Sequence, residues 1–322
     1  MALIHSRARA LALRTVATAL LLAAVGASGA CAPPSGAPGP AAEESGPPPV
    51  ATVPLMLSVR DLVLPIEPYL FTDRQIAGVL RARGKLAAVC MERYGHSWPA
   101  PSGPSGETGT LNPANTAHRY GLTSAAVAAR HGYHPAGDTV LRPRAKDRGP
   151  RPVPAAMRVL TGFGPDGSPV TRDPRGRAVP PGGCLGEATA ALSGDPDRIG
   201  NRELVGEINI GSYQRSRRDP RVRAVFRAWS RCMAARGYDY PDPVRVPGAG
   251  DRAAGPVPSR TEIALAVADV ECKRTTNVVG VWSAVDAAYQ RRAMGERRSE
   301  LAAVARDIRT QLANAERVLA DR

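Results

Sequence analysis

Five cysteines are the residues of this chain whose spacing points most clearly to chemistry. Cys90 and Cys232 each begin the pattern Cys-Met-x-x-x-Gly, and in each copy an aromatic residue stands just before the first of two prolines. Cys184 follows the first copy and Cys272 the second. Four cysteines allow three pairings, and the repeat favours Cys90–Cys184 and Cys232–Cys272. Wide spacings and the lack of any Cys-x-x-Cys argue against a metal site.

The fifth cysteine, Cys31, follows a segment with the features of a secretion signal. Three arginines precede the apolar run Thr15–Gly26, and small residues follow as far as Ala30. A run of about a dozen residues is shorter than the roughly 20 that span a bilayer, so residues 1–30 are predicted to be a cleaved signal peptide. Small residues before a single cysteine resemble the lipobox of bacterial lipoproteins, which implies acylation of Cys31, with palmitate among the acyl chains. Ser28 stands where that motif has Leu, and cleavage after Ala30 would instead release a secreted protein.

Cysteine parity favours the lipoprotein, because lipid on Cys31 leaves four cysteines that can all pair in an oxidising compartment. Residues 31–52 are mostly Pro, Gly, Ala and Ser, a composition that predicts a disordered tether. We therefore expect an extracytoplasmic protein, anchored by its lipid to the outer face of the cell membrane.

The charge balance points to a surface rather than to nucleic acid. Removing the three arginines of the signal from a net charge of +14 leaves +11 for the exported chain. Only three of the 43 basic residues are lysine, the arginines are spread along the chain, and they do not alternate with aromatic residues. Weak attraction to anionic lipid head groups or cell-wall polymers is one interpretation. A solvated surface without a partner is the other.

Histidines are the next candidates for a site. His131-x-x-His134 could bind zinc on a helix, but Gly132 and Pro135 argue against a helix there. We expect these residues to be packed or hydrogen-bonded in a loop. The alternative is a small site in which His96, His131 and His134 meet, which would make the protein an envelope enzyme with a histidine or carboxylate site within residues 96–187.

Aromatic residues near the histidines could line a groove for a carbohydrate or peptide, or could simply pack against the neighbouring prolines. The expected binding surface comprises His96, Trp98, His131, Tyr133, His134, Tyr238 and Tyr240. We assign no catalytic residue, cofactor or metal ligand. The segment Gly162–Gly167 matches the dinucleotide pattern G-x-G-x-x-G, but Pro165 and Pro169 prevent the required helix start, so it is predicted to be a turn.

Helix signals place the cysteines. A capping box of Thr72 and Gln75 predicts a helix that carries Cys90 and ends at Gly95. Asp219 before Pro220 predicts the start of a second helix, which carries Cys232 and ends at Gly237. A third helix, from Ser259 with a capping box to Glu262, is apolar nearly all round and carries Cys272.

After the third helix, a long C-terminal helix is predicted over about residues 279–320. Its apolar residues are spaced by three and four, as in a coiled coil. We expect this helix to pack along the body, and a projecting arm for self-association is the alternative.

Residues 100–183 are predicted to be an irregular insertion rich in Pro and Gly. A short helix is expected over Thr123–Ala129. Residues Met157–Leu160 and Ser168–Thr171 are expected to pair as a β-hairpin across the turn at Pro165–Gly167.

Three segments resemble exported proteins of unassigned function from high-GC Gram-positive, actinobacterial bacteria. They are Arg119-Tyr120-Gly121, the run from Ala128 to Pro135, and Val179–Ala188, and the Cys-Met-x-x-x-Gly motif belongs to the same resemblance. The resemblance covers most of residues 60–290. It implies export and a related fold, and it brings no catalytic residue.

The expected fold is mainly α: one disulfide-stapled helical domain over residues 53–322, with two related units at about 60–195 and 205–280. The expected function is a cell-surface lipoprotein that acts as a non-catalytic binding or scaffolding module at the bacterial envelope. Its partners would be the membrane, through the lipid, and an unknown envelope component.

Overall fold

The computed structural model describes residues 46–60, 62–98, 114, 116–134, 153–246 and 257–321. Regular structure in these ranges is helical, which confirms the mainly α prediction; their only β pairing is two isolated bridges. A 3₁₀ turn at Glu67–Tyr69 precedes helices α1 to α10, which are Asp73–Arg93, Thr116–Arg119, Ala125–His131, Pro154–Thr161, Gly183–Ser193, Glu203–Arg218, Pro220–Ala234, Arg260–Thr276, Val278–Glu296 and Arg298–Ala320. Among the described helices, none has the length and apolar character needed to cross a membrane. The predicted signal peptide and Cys31 lie outside the described residues.

The predicted helix starts are largely confirmed. The Thr72 hydroxyl accepts the Gln75 N–H at 3.3 Å, and the Gln75 side chain accepts the Thr72 N–H at 2.8 Å, so the capping box is complete. Asp219 caps α7 by accepting the Arg221 N–H at 2.9 Å. Ser259 likewise caps α8, but Glu262 does not complete that box because its carboxylate accepts the Tyr133 N–H instead.

Both Cys-Met helices end in the same backbone geometry. Gly95 and Gly237 have φ of 74° and 84°, in the left-handed region that glycine adopts without strain. The N–H after each glycine donates back to the methionine carbonyl, at 3.1 Å to Met91 and 3.0 Å to Met233. This is a Schellman motif, and both methionines are fully buried beneath it.

The two predicted disulfides are confirmed. Cys90–Cys184 joins α1 to α5 and Cys232–Cys272 joins α7 to α8, with Cα–Cα distances of 5.5 and 5.7 Å. The two disulfide-linked helix pairs nevertheless differ in their relative direction: one is antiparallel and the other is parallel. Seven residues before Cys90, Arg83 bonds Thr189, which follows Cys184, so α1 and α5 are antiparallel. Trp229 and Asp269 precede Cys232 and Cys272 equally and bond each other, so α7 and α8 are parallel. The duplication is therefore limited to the Cys-Met helix and its cap.

The single long C-terminal helix is a wrong prediction, since the chain leaves helical geometry at Arg297 (φ −117°, ψ 29°). The two halves bury different surfaces: α9 packs on α6 and α7, whereas α10 packs on α1 and α5. The break lies where the packing partners change, and Gly295 weakens the helix next to it. Leu301, Val304 and Ile308 are buried, so α10 lies along the body as expected and its apolar seam is covered.

The predicted first strand of the β-hairpin is wrong, because its residues are helical. Met157–Leu160 lie in α4, where Pro154 occupies the first turn and Val159 and Leu160 pack into the core around Cys90. The predicted turn at Pro165–Gly167 is present, with Phe163 bridged to Pro169 across it. The short helix is also present as α3, beginning two residues later than predicted because Ser124 caps it.

The packed body begins before residue 53, the boundary expected from composition. Pro48 is buried, and its carbonyl accepts the Arg221 guanidinium at 2.9 Å. Val50 packs against the core formed by α7, α8 and α9. Proline and alanine content alone therefore does not mark where the tether ends.

Candidate functional site: an arginine pocket between two helices

The corner between α6 and α7 holds an unusual concentration of positive charge. α6 ends at Arg218, Asp219 forms the cap, and α7 begins at Pro220. A pocket of about 460 Å³ opens there. We call it the arginine pocket; its lining is Gln214, Arg217, Arg218, Arg223, Phe226, Arg227, Pro241 and Asp242.

Each helix supplies two of the four arginines. Arg217 and Arg218 are the last two residues of α6, whereas Arg223 and Arg227 are four residues apart and so share a face of α7. Pro241 and Asp242 come from the second aromatic-Pro motif, which follows the Schellman end of α7. The pocket thus combines a helix corner with one of the two repeats that the sequence singles out.

The pocket is not neutralised from within. Among the described residues that line it, Asp242 is the only carboxylate; it lies 3.8 Å from Arg245 outside the pocket and accepts the Val244 N–H at 2.9 Å. Within the described part of the chain, none of the four arginines forms an ion pair with a carboxylate. Four guanidinium groups, always protonated at physiological pH, therefore face one carboxylate.

Arg217 carries a further sign of an incomplete site. Its Nε–H is buried and has no hydrogen-bond acceptor among the described residues. Its guanidinium carbon lies 5.9 Å from the centre of the Tyr213 ring. Buried donors are paired in the great majority of cases, so an unpaired one is expected to meet water or a bound ion.

Helix dipoles account for only half of this charge. Arg217 and Arg218 stand at the C-terminal end of α6, where a positive side chain is favourable. Arg223 stands in the early part of α7, whose first turn has no acidic residue. Near a helix N-terminus, a positive side chain is unfavourable and an anion is favoured.

A second depression of about 550 Å³ lies where the first Cys-Met helix ends, and it is neutralised. We call it the paired depression; its lining is Arg93, Tyr94, Arg177, Ala178, Val179, Pro180, Pro181 and Glu187. Arg93 donates to both carboxylate oxygens of Glu187, at 2.5 and 2.6 Å. Arg177 bonds Asp173 at 2.6 Å. Here each arginine forms an ion pair with one carboxylate.

A buried polar network holds residues 116–134 onto α8 and α9. Lys273 bonds Asp269 at 2.8 Å and the Leu122 carbonyl at 3.0 Å, and both charged side chains are almost fully buried. Trp229 and Tyr133 also donate to Asp269, each at 3.1 Å. Burial raises the pKa of Asp269, which the Lys273 ammonium and these donors oppose.

A second buried pair continues the same network. Arg119 donates to Asp286 at 2.7 Å, with 6 % and 0 % of the two side chains exposed, and to Asn209 at 2.9 Å. Tyr120 also donates to Asp286, at 2.9 Å, and its burial raises the pKa of the phenol. Gly121 has φ of 75°, and a Cβ there would lie 2.9 Å from the Lys273 ammonium. The Arg-Tyr-Gly segment is therefore explained by docking, because these polar groups satisfy one another.

The structure divides the expected binding residues between two regions, with His96 and Trp98 in the first and Tyr133, Tyr238 and Tyr240 together in the second. His96 follows the cap of α1, and Trp98 packs beside the Cys90–Cys184 core. His131 ends α3, and His134 pairs with Glu262 at 2.9 Å. In the ranges that the structure describes, no group of three or more His, Cys, Asp or Glu is arranged to hold a metal ion.

The tyrosines on the list serve packing. Tyr238 and Tyr240 pack against the core of α7, α8 and α9, and the Tyr240 carbonyl accepts the Ser230 hydroxyl at 2.7 Å. Tyr133 belongs to the buried network. None of the seven lines the arginine pocket, although Pro241 and Asp242 directly follow Tyr240.

Sequence reasoning missed the arginine pocket. The signal was present as Arg217-Arg218 and Arg223-x-x-x-Arg227 on either side of Asp219-Pro220. Because arginine is abundant along the whole chain, these four did not stand out from their background. Only the turn between α6 and α7 brings them together.

No protein-family model, curated protein or solved structure matches this chain.

Proposed function

We propose that this protein is a non-catalytic binding module held at the bacterial envelope, and that the arginine pocket is its contact with an anionic partner. The observation that carries the proposal is the charge in the pocket, four arginines against Asp242 alone. A guanidinium does not release its proton at physiological pH, so these groups suit binding and orientation rather than proton transfer. The partner is an anionic component of the envelope.

The sequence supports the envelope location. The signal-like segment, the cysteine at position 31 and the disulfides together favour an exported lipoprotein in an oxidising compartment. Anionic lipid head groups and cell-wall polymers are the charged surfaces that such a protein meets. The net charge of +11 after signal removal would attract them from a distance, and the pocket would provide the specific contact.

Retention of the purified full chain on a dextran sulfate resin tests whether the pocket binds anions. Replacing Arg223→Gln and Arg227→Gln together removes two pocket charges from exposed positions, so the fold should persist. The control, Arg260→Gln with Arg274→Gln, removes two exposed arginines of α8 outside the pocket and gives the same net charge. We expect the pocket variant to elute at clearly lower sodium chloride concentration than the control.

Equal elution of the two double variants would contradict the proposal, because retention would then depend on net charge alone. Circular dichroism of each variant checks that helix content is unchanged. A pocket variant that retains its helices and elutes early supports a localised anion site.

A further inference from the structure

We propose that the arginine pocket binds a phosphate group with two or more negative charges, as in a phosphate monoester or a diphosphate. This inference rests on the proposed function and names the chemical class of its ligand. Three observations carry it: the number of arginines, the unpaired donor of Arg217, and the contrast with the paired depression, where Arg93 and Arg177 each bond a carboxylate.

The stoichiometry of the ion pairs argues against a single carboxylate. Glu187 uses both of its oxygens on Arg93, and Asp219 uses both of its oxygens on Arg221. In each of these pairs one carboxylate serves one arginine, through the single Nη2 nitrogen of Arg93 and through the Nε–Nη2 fork of Arg221. The arginine pocket has four such forks and a single acid, so a ligand that satisfies it needs more charge and more acceptor oxygens.

A phosphate group meets that need. A monoester presents three terminal oxygens in a tetrahedral arrangement and carries close to two negative charges at pH 7. The oxygens point in different directions, so forks from both helices can bind at once. Arg217 lines the same pocket, and its Nε–H is a buried donor without an acceptor among the described residues.

The remaining lining provides room for an organic part of the ligand. A volume of about 460 Å³ lies within the range of small-molecule sites and exceeds what one phosphate fills. Phe226 and Pro241 form apolar walls beside the arginines. We therefore expect a phosphorylated organic molecule to bind more tightly than inorganic phosphate does.

Isothermal titration of the full chain with five soluble probes tests the ligand class. The probes are inorganic phosphate, glycerol 3-phosphate, pyrophosphate, acetate and citrate. We expect pyrophosphate and glycerol 3-phosphate to bind more tightly than the others, and Arg223→Gln with Arg227→Gln to weaken them about 10-fold or more. Arg217→Gln should do the same, whereas Arg231→Gln, an exposed arginine on α7 outside the pocket, should change affinity less than about twofold.

The pH dependence separates phosphate from other anions. The second pKa of a phosphate monoester is about 6, so glycerol 3-phosphate should bind more weakly at about pH 5 than at about pH 7.5. Inorganic sulfate keeps two charges at both values and should be unaffected. The described pocket lining contains no histidine, and Asp242 is its one carboxylate.

The failures of the two proposals are distinguishable. If citrate binds as tightly as pyrophosphate, or the pH profiles of glycerol 3-phosphate and sulfate coincide, the phosphate inference is overturned while pocket-dependent retention on dextran sulfate still supports the anion site. If no probe binds and the resin does not distinguish the variants, both proposals fail.

Vesicles identify the source of the phosphate. Stronger pocket-dependent binding to vesicles containing phosphatidic acid, whose phosphate is a monoester, than to glycerol 3-phosphate would assign a lipid head group. Equal or stronger binding to the soluble ester would assign a soluble or polymer-borne phosphate.

Discussion

Around Cys90, the end of the Cys-Met helix faces apolar side chains and a depression whose arginines are paired. Around Cys232, a helix end with the same Schellman geometry lies against a helix that carries a buried ion pair, and the adjoining pocket has unpaired arginines. The methionine, the glycine and the disulfide are common to both regions. The backbone of the motif is therefore scaffold, and the difference between the regions lies in the charges set around it.

The difference divides the molecule into a part that is closed and a part that is open to a ligand. Each arginine of the paired depression bonds a carboxylate of this chain. In the second region, the buried acids Asp269 and Asp286 bond internal partners, and the described lining of the arginine pocket has four arginines and one acid, Asp242. An external anion would complete the second region as Glu187 completes the first.

The largest expected effects come from the disulfides, and they should differ between the regions. Cys90–Cys184 closes a separation of 94 residues and Cys232–Cys272 one of 40. The chain-entropy model gives about 4.7 and about 3.9 kcal/mol at 25 °C before any strain in the native state is subtracted. We expect the double alanine variant of the first pair to lose more free energy of unfolding in urea. A larger loss from the second pair would mean that local packing, not loop length, sets their contributions.

The buried Lys273–Asp269 ion pair of the second region should be the next most sensitive feature. Lys273→Met leaves Asp269 buried with its donors but without a counter-charge, so we expect a loss of about 3–5 kcal/mol in urea unfolding. Adding Asp269→Asn to that variant removes the unpaired charge and should recover part of the loss. Arg83→Met in the first region, where Arg83 bonds the neutral Thr189, should cost only about 1 kcal/mol.

The sign of the pH effect checks this interpretation of Lys273→Met. Burial already raises the pKa of Asp269 in the folded state. Without Lys273, the folded protein binds a proton at Asp269 more readily than the unfolded chain does, so stability rises as pH falls from neutral towards the unfolded pKa. The difference in free energy of unfolding between the variant and the parent should therefore be smaller at about pH 5 than at about pH 7. A deficit that is unchanged or larger at the lower pH would exclude an unpaired Asp269 as its cause.

Features that depend on neighbours in sequence could be predicted, and those that depend on the tertiary arrangement could not. Thr72, Asp219 and the two cap glycines act within one helical turn, and each does what its local pattern indicates. The disulfides followed from the repeat of that same local unit. The break at Arg297 was not predicted, because the helical pattern runs through it; it falls where the packing changes from α6 and α7 to α1 and α5.

The buried polar network and the arginine pocket likewise depend on tertiary contacts that the sequence does not reveal. Asp269 and Lys273 lie in a helix that is otherwise apolar, and nothing in their spacing reveals that Tyr133 and Trp229 meet them. The sequence led us to expect surface contacts at His131, Tyr133 and His134 because these residues are polar. In the structure, Tyr133 and His134 instead dock their segment onto α8. The pocket arginines were masked by the abundance of arginine elsewhere in the chain.

The most direct test of an open arginine pocket is residue-resolved modification of the full chain by phenylglyoxal, which reacts with accessible guanidinium groups. Peptide mass spectrometry would compare each arginine with and without dextran sulfate. We expect the anion to protect Arg218, Arg223 and Arg227 strongly, and to leave Arg93 and Arg177 of the paired depression unchanged. Protection spread evenly over the exposed arginines, or centred on Arg93 and Arg177, would contradict the distinction between the two regions.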